Sequence, residues 1–115
     1  METSEVALAF GALSQETRID LLRTLLNAGP DGMAAGEIGT AIGVPASTCS
    51  FHLKALEQAG LIAVTRRGRH LIYAAQIARL RSLMLFLVES CCGGELGRCG
   101  ELAGLFGPVP AGPAQ

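Results

Sequence analysis

Residues 43–61 constrain the fold of this chain most, because both faces of a single helix can be recognised in them. Pro45 suits the first turn of a helix, where its missing N–H costs nothing, and Gly60 suits the position just past the end. A helix of about four turns is therefore predicted between them. The residues whose three- and four-residue spacing predicts a buried face are Cys49, Leu53, Leu56 and either Ala59 or Gly60.

The outward side of this helix is rich in short hydroxyl side chains, whereas most exposed helix faces are rich in Glu and Lys. Short hydroxyl side chains let a helix approach a nucleic-acid groove and donate hydrogen bonds to phosphates or base edges. An ordinary amphipathic surface helix without a ligand is the alternative. The predicted outward residues are Ser47, Thr48, Ser50, His52 and Lys54.

Three further helices are predicted before this one, over residues 4–13, from Ser14 to about residue 26, and over residues 33–42. The third ends at Gly43, two residues before Pro45, so the last two helices form a predicted helix-turn-helix. The predicted buried stripe of the second helix is Ile19, Leu22, Leu25 and Leu26.

A β-hairpin is predicted after Gly60. Residues 61–65 and 71–73 are rich in strand-forming residues, and they flank a charged turn at residues 66–70. A solvated hairpin tip without a partner is one interpretation. Three arginines directly after a helix-turn-helix favour a tip that reaches phosphates or the minor groove beside the docked helix. These arginines are Arg66, Arg67 and Arg69.

The charge of the chain is unevenly distributed. The net charge of −1 would argue against nucleic acid, yet residues 45–82 carry six basic residues and one acidic residue. A local basic patch is therefore expected on an acidic background. No apolar run approaches the ~18 residues of a membrane span, and the N-terminus lacks the basic region of a signal peptide. A cytoplasmic protein without a membrane partner is expected.

The last predicted helix, residues 76–92, is apolar nearly all round between residues 83 and 88. A helix without a polar face must be covered on both sides. In a chain of 115 residues a second subunit supplies such a cover most economically, which predicts a homodimer. The predicted interface residues are Val6, Phe10, Leu80, Leu83, Met84 and Leu87.

This order of elements over residues 5–92 is similar to the ArsR/SmtB-type family of winged-helix transcriptional regulators. The runs that carry the resemblance are Ala12–Arg18, Ser50–Leu56, Ala59–Leu61 and Arg66–His70. The resemblance implies a mainly α winged helix-turn-helix, about five helices and a two-stranded β-hairpin wing. It implies a dimeric repressor that binds a palindromic double-stranded operator and lets go when an inducer binds. It also implies that Ser47, Thr48, Ser50 and His52 read the major groove and that Arg67 and Arg69 contact the flanking backbone or minor groove.

One departure from the family concerns the inducer site. Well-known members bind arsenite through a Cys-x-Cys pair on the helix before the recognition helix, whereas residues 33–38 contain no thiol. A soft-ion sensor in this chain must therefore lie elsewhere. Cys49 is predicted to be a packing residue, because it lies in register with Leu53 on the inward face.

Cys91, Cys92 and Cys99 place three thiols within nine residues, a pattern that favours metal or redox chemistry in a cytosolic chain. Three thiolates suit trivalent arsenite or antimonite, since zinc would need a fourth ligand. Glycines between Cys92 and Cys99 allow the chain to turn back over the helix end. Some arsenic-responsive relatives carry such a vicinal pair and a third cysteine.

Two alternatives for these thiols remain, another thiophilic metal such as Cd, Pb or Zn, and redox or persulfide sensing. A small thiol enzyme such as an arsenate reductase would need an anion-cradling loop, and no phosphate-type loop precedes Cys91. We therefore expect no catalytic residue and no catalytic cofactor. The predicted organisation is a DNA-binding and dimerisation domain at residues 1–92, a sensor segment at 93–106 and a flexible tail at 107–115.

Overall fold

Five helices and three short strands lie within residues 1–92, the part of the chain that the computed structural model describes, with side-chain surroundings described up to Glu89. Residues 1–80 form one unit and a second begins at Arg81. The predicted segments 93–106 and 107–115 lie outside the described residues. The elements are α1 (Thr3–Ala12), α2 (Glu16–Ala28), β1 (Met33–Ala34), α3 (Ala35–Ile42), α4 (Ala46–Gln58), β2 (Ile62–Arg67), β3 (His70–Ala75) and α5 (Ile77–Cys92).

Helix α2 supplies the centre of the core and packs against α3, α4 and β3. Leu21, Leu22 and Leu25 are buried on it, whereas Ile19 and Leu26 are exposed. The prediction that Ile19 and Leu26 belong to the buried stripe is therefore wrong. The inward face is turned by less than one residue, because successive helix positions lie about 100° apart and either assignment satisfies the apolar spacing.

The turn between α3 and α4 is tight because two glycines permit it. Gly43 ends α3 in the left-handed conformation, with φ of 72°, and its N–H donates to the Gly39 carbonyl oxygen at 2.9 Å. A Cβ on Gly39 would lie 3.4 Å from the Val44 carbonyl oxygen and 3.7 Å from Cβ of Cys49. The chain therefore folds back closely onto α3, which confirms the predicted helix-turn-helix.

The hairpin belongs to a three-stranded antiparallel sheet with strand order β1-β3-β2. Strand β1 pairs with β3 through Met33 opposite Tyr73 and Ala34 opposite Ile72. The prediction of helix from residue 33 is wrong for these two residues, and the expected two-stranded wing has a third strand. The predicted fold class, mainly α with a small β-hairpin, is confirmed.

Helix α5 starts one residue after the predicted boundary and ends at Cys92, in agreement with the sequence. Among the described residues, none of the helices has the length and apolar character that crossing a membrane requires.

Candidate nucleic-acid interface

The solvent-facing side of α4 combines hydroxyl groups with one cation. Ser47 and Lys54 lie seven residues apart and therefore two turns apart on the same side of the helix. Thr48 and Ser50 flank this line, and all four side chains are exposed. Their predicted outward placement is confirmed.

The N-terminus of α4 leaves backbone donors free at the same end as the hydroxyl groups. Pro45 is the residue just before the helix, with φ −62° and ψ 156°, and no side chain caps the first turn. The first N–H to donate within the helix is that of Cys49, to the Pro45 carbonyl oxygen at 2.9 Å. Three N–H groups and the positive end of the helix dipole thus face outward, an arrangement that suits phosphate.

His52 does not lie on this face. Its side chain is 7% exposed, and its Nδ1 accepts a hydrogen bond at 3.0 Å from Nε of Arg18 on α2. The predicted outward placement of His52 is wrong. The reason is the helical phase, because His52 follows Cys49 by three residues and precedes Leu56 by four, and both of those side chains are buried.

The bond between Arg18 and His52 determines the protonation state of the imidazole. A guanidinium only donates, so Nδ1 must carry a lone pair. Burial lowers the pKa of His52, and the positive charge of Arg18 lowers it further. Arg18 is 8% exposed and also lies 3.5 Å from the Ala12 carbonyl oxygen, to which its Nη1 donates. Neutral His52 thus ties α4 to α2 and is a structural residue.

Phe51 occupies the place on the outward face that the sequence analysis assigned to its neighbour. Its side chain is 65% exposed. The Arg18 guanidinium carbon lies 5.6 Å from the centre of its ring, and the His52 ring meets it edge-on at 5.4 Å. The signal was present in the sequence, because Phe51 follows Ser47 by four residues and precedes Lys54 by three.

The hairpin tip is shorter and sharper than the predicted turn. Strands β2 and β3 run to Arg67 and His70, which face each other across the ladder. The two linking residues are Gly68, with φ of 63°, and Arg69, a pattern that fits a type II′ hairpin turn. Arg66 and Arg67 are consecutive in a strand, so they point to opposite sides of the sheet. Cations therefore project from both sides and from the end of the wing.

One arginine of the predicted basic patch is engaged within the chain. Arg79 Nη2 lies 3.5 Å from a carboxylate oxygen of Glu5, and this is the only ion pair among the described residues. The Arg79 guanidinium also lies against Gly60, where a Cβ would come within 2.9 Å of Nε. The wing arginines and Lys54, by contrast, form no ion pair with any described residue and are exposed.

Comparisons with known proteins agree with this geometry. Residues 13–65 match a helix-turn-helix domain family. Over 60 residues the chain is 38% identical to an uncharacterized helix-turn-helix-type transcriptional regulator of Bacillus subtilis, which covers 52% of this chain and 59% of that protein. The chain thus spans less than two thirds of the length of this relative.

Two solved structures share the fold at 28% sequence identity. An ArsR-like transcriptional regulator from Rhodococcus superposes with a TM-score of 0.68, over 92% of this chain and 95% of that one. A homodimeric winged helix-turn-helix DNA-binding domain from Mycobacterium bovis, a possible ArsR-family transcriptional regulator, gives 0.63 over 76% and 79%. The chain has the winged helix-turn-helix fold of ArsR-type transcriptional regulators. Helix α4 is its recognition helix, and the β2–β3 hairpin is its wing.

The cysteines of this winged-helix chain differ in what the structure describes. Cys49 is buried, its Sγ lies 3.8 Å from the Ala35 carbonyl oxygen, and burial raises the pKa of its thiol. Its predicted packing role is confirmed. No cluster of three metal-ligating side chains occurs among the described residues. Cys99 and the side chains of Cys91 and Cys92 lie outside them, so the metalloid site stays a prediction.

The predicted dimer residues of the winged-helix chain fall into two groups. Met84 and Leu87 on α5 are 51% and 49% exposed, and Phe10 on α1 is also exposed. Leu80 is half-buried. Val6 and Leu83, in contrast, are buried within the single chain. Their predicted place on an interface is wrong, because a side chain that is already covered has little surface left to offer a partner.

Proposed function

We propose that this chain is a transcriptional repressor that binds double-stranded operator DNA through α4 and the wing. The observation that carries the proposal is the exposed, unpaired set of donors on these two elements. Hydroxyl groups, Lys54 and the free N–H groups of the α4 N-terminus suit base edges and phosphates. The arginines of the wing supply the charge that holds a protein on the DNA backbone.

We further propose that the repressor acts as a homodimer. An exposed apolar stripe follows α5 at the spacing i, i+3, i+7 and i+10, formed by Ile77, Leu80, Met84 and Leu87. Exposed apolar stripes of this kind are typical of helix–helix interfaces between subunits. The relative from Mycobacterium bovis is homodimeric, which supports the same assembly for this chain.

The proposed inducer is trivalent arsenic or antimony, arsenite As(III) or antimonite Sb(III), bound by Cys91, Cys92 and Cys99. Its support is the sequence, which places three thiols within nine residues at the end of α5. The same helix carries the proposed dimer stripe, so a ligand that distorts the helix end would reach the interface. A coupling of ~1–3 kcal/mol between the two sites changes operator affinity five- to about 150-fold.

A substitution at the second position of α4 tests the DNA face. Ser47→Asp places a carboxylate at a helix N-terminus, where it favours the helix but repels phosphate. We expect it to weaken binding to a duplex selected from a random-sequence library by at least about tenfold, as measured by fluorescence anisotropy at fixed salt. Ser4→Asp, at the same position of α1, is the matched control and should bind like the wild type. Equal binding by all three proteins would refute the proposed face.

A titration with metalloid tests the proposed inducer. Arsenite should release the wild-type protein and the Cys49→Ala variant from the selected duplex, and it should leave the Cys91→Ser, Cys92→Ser double variant bound. Parallel titrations with Cd²⁺, Zn²⁺, hydrogen peroxide and polysulfide separate the alternatives. Release by an oxidant or polysulfide and not by arsenite would assign the cysteines to redox or persulfide sensing.

A further inference from the structure

Phe51 is an apolar side chain in the middle of a polar recognition surface. It is more exposed than any other large apolar side chain among the described residues, at 65%, and it lies between Ser47 and Lys54 on one line of α4. An exposed aromatic ring at the centre of a proposed contact surface offers a large area to a partner, because a buried Phe removes about 150–250 Å² from water.

The ring of Phe51 is held in place from below. The Arg18 guanidinium lies 5.6 Å from its centre, and the His52 ring meets its edge at 5.4 Å with an angle of 68° between the planes. Arg18 is itself anchored by the bond to His52 Nδ1 at 3.0 Å. A ring fixed on a buried, hydrogen-bonded base loses little conformational entropy when a partner binds.

The surroundings of Phe51 indicate the chemistry of the partner. Its neighbours on α4 are donors and a cation, and the wing adds three exposed arginines, so the partner is polyanionic. Within the major groove the C5-methyl of thymine is the apolar group presented by the base edges. An apolar ring among groups that face phosphates therefore fits a thymine methyl.

We propose that Phe51 is a specificity-determining residue that reads thymine by apolar contact with its C5-methyl group in the major groove. The inference rests on the proposed DNA-binding function and adds one element of sequence preference to it. Ser47, Ser50 and Lys54 supply hydrogen bonds around the ring, and the Arg18–His52 pair positions it. Arg18 and His52 act through Phe51 and do not themselves contact DNA.

A chemical double-mutant cycle tests the contact. The probe is a duplex selected from a random-sequence library by the wild-type protein, in which each thymine is replaced in turn by deoxyuridine, a change that removes only the methyl group. At one or two positions in each half-site the wild-type protein should lose about fourfold in affinity for each methyl, the value for taking one such group out of water. Phe51→Ala should bind more weakly and should no longer distinguish thymine from uracil at those positions.

Two further variants separate contact from folding. Phe51→Leu keeps an apolar side chain and should retain most of the preference for thymine, while Gln58→Ala, exposed one turn further along the same face of α4, should retain all of it. Thermal unfolding followed by circular dichroism should show all three variants folded at the assay temperature.

The outcomes distinguish this inference from the function on which it rests. Selective binding with the same uracil penalty in the wild type and in Phe51→Ala would overturn the thymine contact and leave the DNA-binding proposal intact. Unchanged operator affinity in Phe51→Ala would also overturn it, and would assign the ring to a protein partner. Failure of the wild-type protein to select any duplex would overturn the proposed function and the inference with it.

Discussion

Arg18 brings a permanent positive charge into a site where 8% of its surface remains exposed, and no carboxylate among the described residues pairs with it. Burial of a charge is expensive unless hydrogen bonds compensate for the lost water. Here His52 Nδ1, the Ala12 carbonyl oxygen and the face of Phe51 surround the guanidinium. The position of the recognition helix against α2 thus depends on a neutral imidazole.

The stability of the protein should therefore depend on the protonation of His52. Burial, and then Arg18, hold its folded pKa below the ordinary value of about 6.5. The unfolded chain then binds more protons below that pH, so the free energy of unfolding is complete above pH ~6.5 and falls as pH drops towards the folded pKa. Urea unfolding at pH 7.5 and 5.5, followed by circular dichroism, measures this loss.

The second histidine of the chain provides the control for this prediction. His70 is exposed at the start of β3, and His70→Gln should keep the loss of stability between pH 7.5 and 5.5. His52→Gln should reduce that loss, because the group that gains the proton is gone. An undiminished loss in His52→Gln would show that another group is responsible.

At the level of elements, β1 is attached to the sheet through a glycine that no other residue can replace without movement. Gly32 has φ of +73°, and a Cβ there would overlap the Tyr73 carbonyl oxygen, with Cγ2 of Ile72 at 2.9 Å. The obstruction is backbone on the neighbouring strand, which cannot turn aside like a flexible side chain. Gly68 in the wing has φ of +63° with open space around it.

These two glycines form a matched pair for a stability measurement. Gly68→Ala should cost roughly 1–2 kcal/mol, the price of a left-handed conformation for a residue with a Cβ. Gly32→Ala should cost at least about 1 kcal/mol more, because the same strain is joined by a backbone clash. Urea unfolding measures both, and equal losses would show that β1 shifts freely away from β3.

The wing should contribute to DNA binding through charge and not through sequence reading. Arg67→Ala should lower affinity similarly for the selected and for an unrelated duplex, and it should reduce the slope of log affinity against log salt by about 0.9 if one phosphate contact is lost. Anisotropy titrations at four salt concentrations give this slope. Arg23→Ala, an exposed arginine on α2, should leave the slope unchanged; a slope that Arg67→Ala leaves unaltered would exclude the contact.

For the whole molecule, the proposed assembly depends on the exposed stripe of α5. Met84→Glu combined with Leu87→Glu would bury four carboxylates in a two-fold interface, so the dimer dissociation constant should rise at least ~100-fold. Sedimentation equilibrium measures it. Ser82→Glu, which lies across the helix from the stripe, should remain as dimeric as the wild type. A double variant that stays dimeric would exclude this stripe as the interface.

Local patterns were sufficient for much of the fold and part of the site. Gly43 and Pro45 mark the turn, and the β-rich runs around residues 66–70 predict the wing, because these signals act on neighbouring residues only. The exposure of Ser47 and Lys54 and the burial of Cys49 also followed from helical spacing. Their role in DNA binding, and the metalloid site at Cys91, Cys92 and Cys99, remain predictions.

What the sequence by itself determined is therefore the order of elements, the turns and the cationic wing, all of which depend on local backbone preference. Only the tertiary structure decided that His52 is buried against Arg18 and that Phe51 is exposed, because adjacent helix positions differ by about 100° and packing sets the phase. It also decided that Met33 pairs with Tyr73, since strand partners distant in the chain meet only when the core between them has formed.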